Sequence, residues 1–280
     1  MKWKLFDPGA SDPVRFRALL RRPAPELTYV MFFTPRSGSS WWHDVVQRTG
    51  QLGKPGESFN PNFVPGIAGA IKVASLDDYV AGVRRRFAVA GVFGFQITHH
   101  QINATFDGPD TFLRHFDGEP SFWLIRRDIV AQAVSLHRKR QTNIAHRPHT
   151  DTAALRDSES RFHYDGPEIA RWVKHIWAAE RATDALVERS DFVPLRLCYE
   201  DLMPLGELGA ANLVARHLGR AQLARITSPT PFEKIGTSRN VAFADRFRHE
   251  HASMMEEIDA ERAARLAALV TDLAGYSPIP

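Results

Sequence analysis

Apolar residues gather in four short blocks without alternation: Thr28–Phe33, Gly91–Thr98, Ser121–Ile125 and Phe192–Cys198. Such blocks suit strands buried on both faces of a parallel sheet. Between them the apolar period changes to that of helices: through Trp41, Val45 and Val46, over Leu76–Phe87, at Ile129, Ala133, Val134 and Leu136, and at Ile169, Trp172, Val173, Ile176, Trp177 and Ala179. Start signals precede several of these runs. Ser39 or Ser40 caps the first, Ser75 with Asp77 and Asp78 opens the second, and Asp128 opens the third. Further helices are expected over Pro109–Phe116, Glu207–Leu218 and Glu257–Leu273, with a short one from a Ser11 cap and Pro13 to Leu20. Strands alternating with helices predict a three-layer, P-loop-like α/β fold. Its central parallel sheet is flanked by helices in one domain over residues 1–280, with ligands at the carboxyl ends of the strands.

Three stretches fall outside this rhythm. Residues 1–26 read as a basic flap packed on the domain, although Phe16, Leu19 and Leu20 beside Arg15, Arg17, Arg21 and Arg22 could touch a membrane surface. Residues 53–69, rich in Gly, Pro and Asn, and residues 228–240 read as loops, and the polar, His- and Arg-rich 142–165 as a lid.

Composition narrows the possible partners. With 280 residues, 44% hydrophobic and 24% charged, the chain is long enough for one large α/β domain and is not of disordered type. A net charge of +4 fits an anionic small ligand better than a nucleic-acid surface, which needs a clustered basic excess. Cys198 is the only cysteine, so no internal disulfide forms. No apolar run approaches membrane-spanning length and the N-terminus lacks a signal-like core, so a cytoplasmic location is expected.

The candidate chemistry centres on the end of the first strand. After Phe33, Thr34-Pro35-Arg36-Ser37-Gly38-Ser39-Ser40 makes a turn of small residues that leads into a helix. Backbone N–H groups not yet engaged in the helix and the helix dipole both favour an anion there. No Gly-Lys-Ser/Thr follows, so this is not a Walker loop. Arg36 would supply the cation, its planar fork suiting a tetrahedral oxyanion. Arg126-Arg127-Asp128 similarly ends the third strand and begins a helix, with Ser135 two turns along it. Two anion-holding elements on one sheet suit a nucleotide with phosphates at both ends of its ribose. The bland alternatives are an ordinary strand-to-helix connection at Arg36 and carbonyl capping by Arg127.

The motifs Thr34-Pro-Arg-Ser-Gly-Ser-Ser40, Thr49-Gly50, Gly53-x-Pro55-x-Glu57-x-Phe59, Gly94-Phe95 and Arg126-Arg127-Asp128-x-x-Ala131-Gln132-Ala133-Val134-Ser135, with Gln141-Thr142, resemble those of the bacterial trehalose 2-sulfotransferase family. The resemblance covers about Tyr29 to Arg248. It implies a sulfotransferase fold and the sulfuryl donor 3′-phosphoadenosine 5′-phosphosulfate (PAPS), with no metal. It implies that Arg36, Ser37, Gly38, Ser39 and Ser40 hold the 5′-phosphosulfate, that Arg127 and Ser135 hold the 3′-phosphate, and that Glu57 is the general base. Ser238-Arg239 or Lys234-Ile235-Gly236 would close over the nucleotide. The acceptor would be a hydroxyl of a carbohydrate or glycolipid, and the assembly a homodimer.

Two departures bear on chemistry: Gln96 stands where the family carries lysine, and Lys54 where a second carboxylate is usual. His99 and His100, just beyond a strand end, compete with Glu57 as base, since histidine is the usual proton acceptor near neutral pH. Their other reading is a strand-end pair bonded to the lid. His146 and His149 give only weak metal spacing. The rival readings are a nucleotide-dependent kinase, which lacks its loop lysine and a convincing Asp for Mg²⁺, and a catalytically silent adenosine-phosphate or glycan-binding module.

Overall fold

The computed structural model describes residues 5–143, 160–228, 237–273 and 275–276. Four parallel strands make the sheet: β1 (Leu27–Phe33), β2 (Val92–Ile97), β3 (Ser121–Ile125) and β4 (Leu195–Cys198), in spatial order β2-β1-β3-β4. All positions of β2 and β3 are buried, as the unalternating apolar blocks predict. The chain leaves β1 for β2 on one side and returns to β3 on the other. Strand order therefore reverses between β1 and β3, and the crevice above their carboxyl ends is where ligands bind in open α/β sheets.

Helices cover both faces of the sheet. They are α1 (Pro13–Leu20), α2 (Ser39–Arg48), α3 (Val64–Ile71), α4 (Leu76–Arg86), α5 (His99–Phe106), α6 (Pro109–Phe116), α7 (Ile129–Thr142), α8 (Gly166–Glu188), α9 (Tyr199–Leu202), α10 (Gly206–His217), α11 (Ser238–Glu250) and α12 (Ala252–Ala267). One core joins Val30, Phe32, Phe93, Phe95 and Ile97 to α3, α4, α5 and α6. The opposite face packs Tyr29, Met31 and Phe33 on Trp42, Val45 and Val46 of α2 and on α10. A third cluster ties α7 to α8, α11 and α12. At Gly94 a Cβ would lie 2.2 Å from the Tyr29 ring, so the Gly94-Phe95 pair keeps Tyr29 within reach of the Leu52 carbonyl, to which its hydroxyl donates at 2.9 Å.

Several expectations need correction. The residue capping α2 is neither Ser39 nor Ser40 but Gly38, in the left-handed region at φ 96°. A Cβ there would fall 2.1 Å from the Tyr199 ring, so close approach as well as backbone shape requires glycine. Asp12 caps α1 in place of Ser11, accepting from the Val14 and Arg15 N–H groups. Phe16 and Leu19 of α1 pack on the core beside Gly82, as the reading of a flap packed on the domain expects. The stretch 53–69 is irregular only to Phe63, because α3 begins at Val64. Ser238–Asn240 is the first turn of α11, not loop, and the last long helix is Ala252–Ala267, earlier than expected. Most of the expected lid, including His146 and His149, and Lys234-Ile235-Gly236 lie outside the described residues. Among the described residues no helix is long and apolar enough to cross a membrane.

Candidate active site

The turn after β1 places Arg36 at φ 68°, a left-handed conformation that costs a non-glycine residue about 1–2 kcal/mol. That geometry turns its guanidinium toward α7, where Nε donates to Ser135 Oγ at 3.0 Å. The two expected anion sites are thus joined directly. Gln132, one turn before Ser135 and fully buried, donates to Thr34 Oγ1 at 2.8 Å and to the Pro35 carbonyl at 2.7 Å, fixing the turn from behind.

Positive charge converges on this crevice. Burial, then the Arg126 and Arg138 guanidinium groups, lowers the Arg36 pKa from its ordinary value, with Tyr199 opposing. Arg36 thus lies in the field of two further guanidinium groups, a setting that favours a bound anion. Arg138, one turn beyond Ser135, is itself buried and donates to Asn240 Oδ1 at 3.2 Å. Asn240 lies in the first turn of α11, so Ser238 and Arg239 approach α7 near this pocket, Arg239 donating to the Phe162 carbonyl at 3.2 Å.

Among the described residues, two buried polar atoms near this turn and strand lack a protein partner. Ser37 Oγ is buried with no hydrogen-bond partner among the described residues. Gln96 is only 5% exposed, its Oε1 equally without a partner. It pairs in register with Met31, so its side chain shares the sheet face that carries α2. The first intrahelical bond of α2 runs from Trp42 N–H to the Gly38 carbonyl at 3.1 Å, while Ser37 N–H closes the preceding turn on the Thr34 carbonyl at 3.2 Å, so the helix N-terminus faces this turn.

Arg127 is oriented differently from Arg36. Its guanidinium is paired with Asp201 near the surface, while its backbone N–H donates to Glu200 at 3.3 Å. Glu200 also binds Arg126 and accepts from Cys198 Sγ at 2.6 Å. Burial alone would raise the Glu200 pKa, but Arg126 and the Cys198 contact outweigh it and hold the carboxylate below its ordinary value. Cys198 is correspondingly pushed up to about 12, by burial first and then by Glu200, and is no thiolate at neutral pH.

Beneath this loop lies a group that sequence reasoning missed. Arg262, fully buried on α12, donates to the Arg126 carbonyl at 2.6 Å and to the Arg127 carbonyl at 3.0 Å. Buried Glu180 of α8 balances it at 2.8 Å and also binds Arg265, which reaches Asp184. Glu180 and Arg262 are 82 positions apart, and each looks like one of many helix-surface charges, so only the tertiary structure could reveal the pair.

Glu57 sits beyond the outer edge of β2. Gly56 pairs with Phe95 as a short parallel bridge, and the Gln96 N–H donates to the Gly56 carbonyl at 3.1 Å. Oε2 of Glu57 accepts from Asn60 at 2.7 Å and from Gln101 at 2.6 Å, while Oε1 has no partner among the described residues. Glu57 lines a cleft of about 480 Å³. His43 of α2 tethers this loop to the cradle helix through Nδ1 and the Pro55 carbonyl, 2.8 Å apart. Neither His43 nor Gln101 was singled out in the sequence, since both look like ordinary helix residues.

His99 and His100 open α5 instead of trailing from β2, following a Thr98 capping box. The His100 ring stacks on His175 of α8 at 4.4 Å, with planes 13° apart. Burial, then His100, lowers the His99 pKa; burial lowers that of His100; burial, His100 and Arg171 lower that of His175. Trp42 is core, Trp41 meets Tyr199 edge-on, and Trp172 packs against His175.

An α/β sheet with a basic crevice at its switch point has a geometry suited to an anionic ligand. The family profile described as Stf0 sulphotransferase matches residues 28–250, and the chain belongs to that family. Comparison with curated proteins gives no match. The resemblance to trehalose 2-sulfotransferases is thereby borne out at the level of family.

Two outcomes are expected from this geometry. Arg262→Lys keeps a charge for Glu180 but loses the paired donors to the Arg126 and Arg127 carbonyls. Loss of a hydrogen bond from this charged donor should lower stability by about 1.5–3 kcal/mol, read as a fall in the urea midpoint, while the circular-dichroism spectrum is kept. The histidines give a pH signature. Their folded pKa values lie below the ordinary 6.5, so the unfolded chain binds more protons as pH falls. Their contribution is complete above about pH 6.5 and is lost as pH drops through the lower folded values. Urea midpoints should fall on acidification, and fall less in His100→Asn.

Proposed function

We propose that this protein is a PAPS-dependent sulfotransferase that modifies a hydroxyl of a carbohydrate or glycolipid, with Glu57 as general base. The observation that carries this reading is the convergence of Arg36, Arg126 and Arg138 with Ser135 at the β1/β3 switch point. Membership of a sulfotransferase family supports the transfer chemistry. On this reading the chain works as a single domain in the cytoplasm, and as the homodimer that the family resemblance implies.

The residues fit such a donor. Ser37 Oγ, the N-terminal end of α2 and Arg36 suit a 5′-phosphosulfate. Arg138 and Ser135, with Arg127 after release from Asp201, suit a 3′-phosphate. Ser238 and Arg239 would cover the nucleotide from α11. PAPS supplies the sulfuryl group, whose bond to phosphate oxygen breaks as the acceptor oxygen bonds to sulfur.

The free Oε1 of Glu57 then takes the acceptor hydroxyl proton, while Asn60 and Gln101 keep the carboxylate from swinging away. Arg36 and the cradle N–H groups stabilise the charge that grows on the departing phosphate oxygen, as fixed dipoles do in phosphoryl transfer. Gln96 offers an uncharged amide where the family's lysine would stand. Charge stabilisation on this side therefore falls more heavily on Arg36.

The direct test compares Glu57→Gln, His99→Ala and His100→Ala in single-turnover assays with labelled PAPS and a panel of sugar and glycolipid acceptors. Glu57→Gln should keep affinity for adenosine 3′,5′-bisphosphate and lose turnover by ~10²-fold or more. Loss in a histidine variant but not in Glu57→Gln moves the base to that histidine. Nucleotide binding with no transfer to any acceptor makes the protein a silent module, and stabilisation by ATP–Mg²⁺ alone makes it a kinase.

A further inference from the structure

The cleft beside Glu57 has an unusual wall. It runs between the Glu57 loop and α3, and its apolar lining includes Phe63, Ile67 and Phe87. Helix α3, Val-Pro-Gly-Ile-Ala-Gly-Ala-Ile, has no polar side chain on any face. Val64, Ala68 and Ile71 point into the core, but the exposed positions are Pro65, Gly66 and Ala70, where a surface helix ordinarily carries charge. Phe63 at its start is 54% exposed, a large apolar side chain left in water at the rim of a concave site. Scattered exposed apolar residues mean little, but here they line one cavity of about 480 Å³, within the usual range of small-molecule sites.

Apart from Asn62, which adjoins Phe63, the polar groups of the cleft stand away from that wall. Lys54, Glu57 and Ser58 lie on the loop side, and Glu57 carries the free oxygen assigned above to the acceptor proton. A free disaccharide needs hydrogen-bonding groups around most of its rim, which α3 does not supply. A molecule with a hydroxylated head at Glu57 and an apolar chain along α3 matches both walls. We propose that the acceptor is a single-chain amphiphile whose alkyl or acyl tail lies against Phe63, Gly66, Ile67 and Phe87 while its hydroxyl meets Glu57. This deepens the sulfotransferase reading and rests on it. The concave volume, continuous with the proposed base, favours a small ligand over a second copy of the chain, which would cover a flatter face.

A ladder of alkyl glucosides from methyl to octyl, used below their micellar concentrations, tests this. With the wild-type protein and PAPS, kcat/KM should rise about two- to fourfold for each added methylene until the cleft is full. No heavy atom lies within 4 Å of a Cβ added at Gly66, so Gly66→Leu fits the helix and fills the cleft from within. In that variant the ratio of octyl to methyl rates should fall below about threefold, the value of a single methylene. A flat ladder in the wild type, or a slope that survives Gly66→Leu, overturns the proposal.

Binding of octyl glucoside without PAPS, followed by ligand-observed NMR, separates the two layers of inference. Binding abolished by Gly66→Leu, with no transfer to any acceptor, defeats the sulfotransferase reading and keeps the amphiphile site. Transfer to free sugars without octyl glucoside binding defeats the site alone. Light scattering supplies the last arm: a dimer that dissociates in Phe63→Ser assigns this face to a second copy and overturns the proposal.

Discussion

The crowding of positive charge around Arg36, at one end of a buried sheet, is the constraint on which the rest of this structure depends. Arg36 reaches the crevice only because its backbone takes a left-handed turn between Pro35 and Gly38, and it meets Arg126 and Arg138 there. Like charges gather only where other groups hold them. Glu200 grips Arg126, Asn240 engages Arg138, and Ser135 receives Arg36. The fold stabilises this arrangement with fully buried ion pairs at Glu180, Arg262 and Arg265, whose desolvation is offset only by close geometry and complete hydrogen bonding.

That constraint also organises the layers around the sheet. Gln132 and Ser135 of α7 define the floor of the cradle, α12 props the loop after β3 through Arg262, and α11 meets α7 at Asn240. On the other side His43 links the cradle helix to the loop that carries Glu57. Donor-facing and acceptor-facing elements are therefore mechanically joined through α2, whose N-terminus faces the anion pocket and whose first turns touch the Glu57 loop.

The sheet was legible in the sequence because strands buried on both faces leave apolar blocks with few competing interpretations, and β3 and α6 fall where those blocks ended. Cap residues were less legible. Ser39 and Ser40 have capping chemistry, but the Tyr199 ring occupies the space a side chain at position 38 would need, and glycine takes the cap. Helix α11 escaped notice because only Ala244 and Phe247 are buried along it, too few for a clear period. Helix α5 is short and begins directly at the end of β2, so its first turn read as strand trailing into loop. The two strand-to-helix turns at Arg36 and Arg126 could be read from local motifs, whereas their union through Arg36 and Ser135, and the support from Arg262, depend on contacts far apart in the chain.

The central claim is that the arginine crevice holds a doubly phosphorylated nucleotide between the turn after β1 and helix α7. The most direct measurement is calorimetric titration of adenosine 3′,5′-bisphosphate and of adenosine 5′-monophosphate into the wild-type protein at two salt concentrations. The account predicts one site per chain, tighter for the bisphosphate and weakened by salt because both ends of the nucleotide meet arginine. Equal affinity for the two nucleotides, or no heat with either, would contradict it.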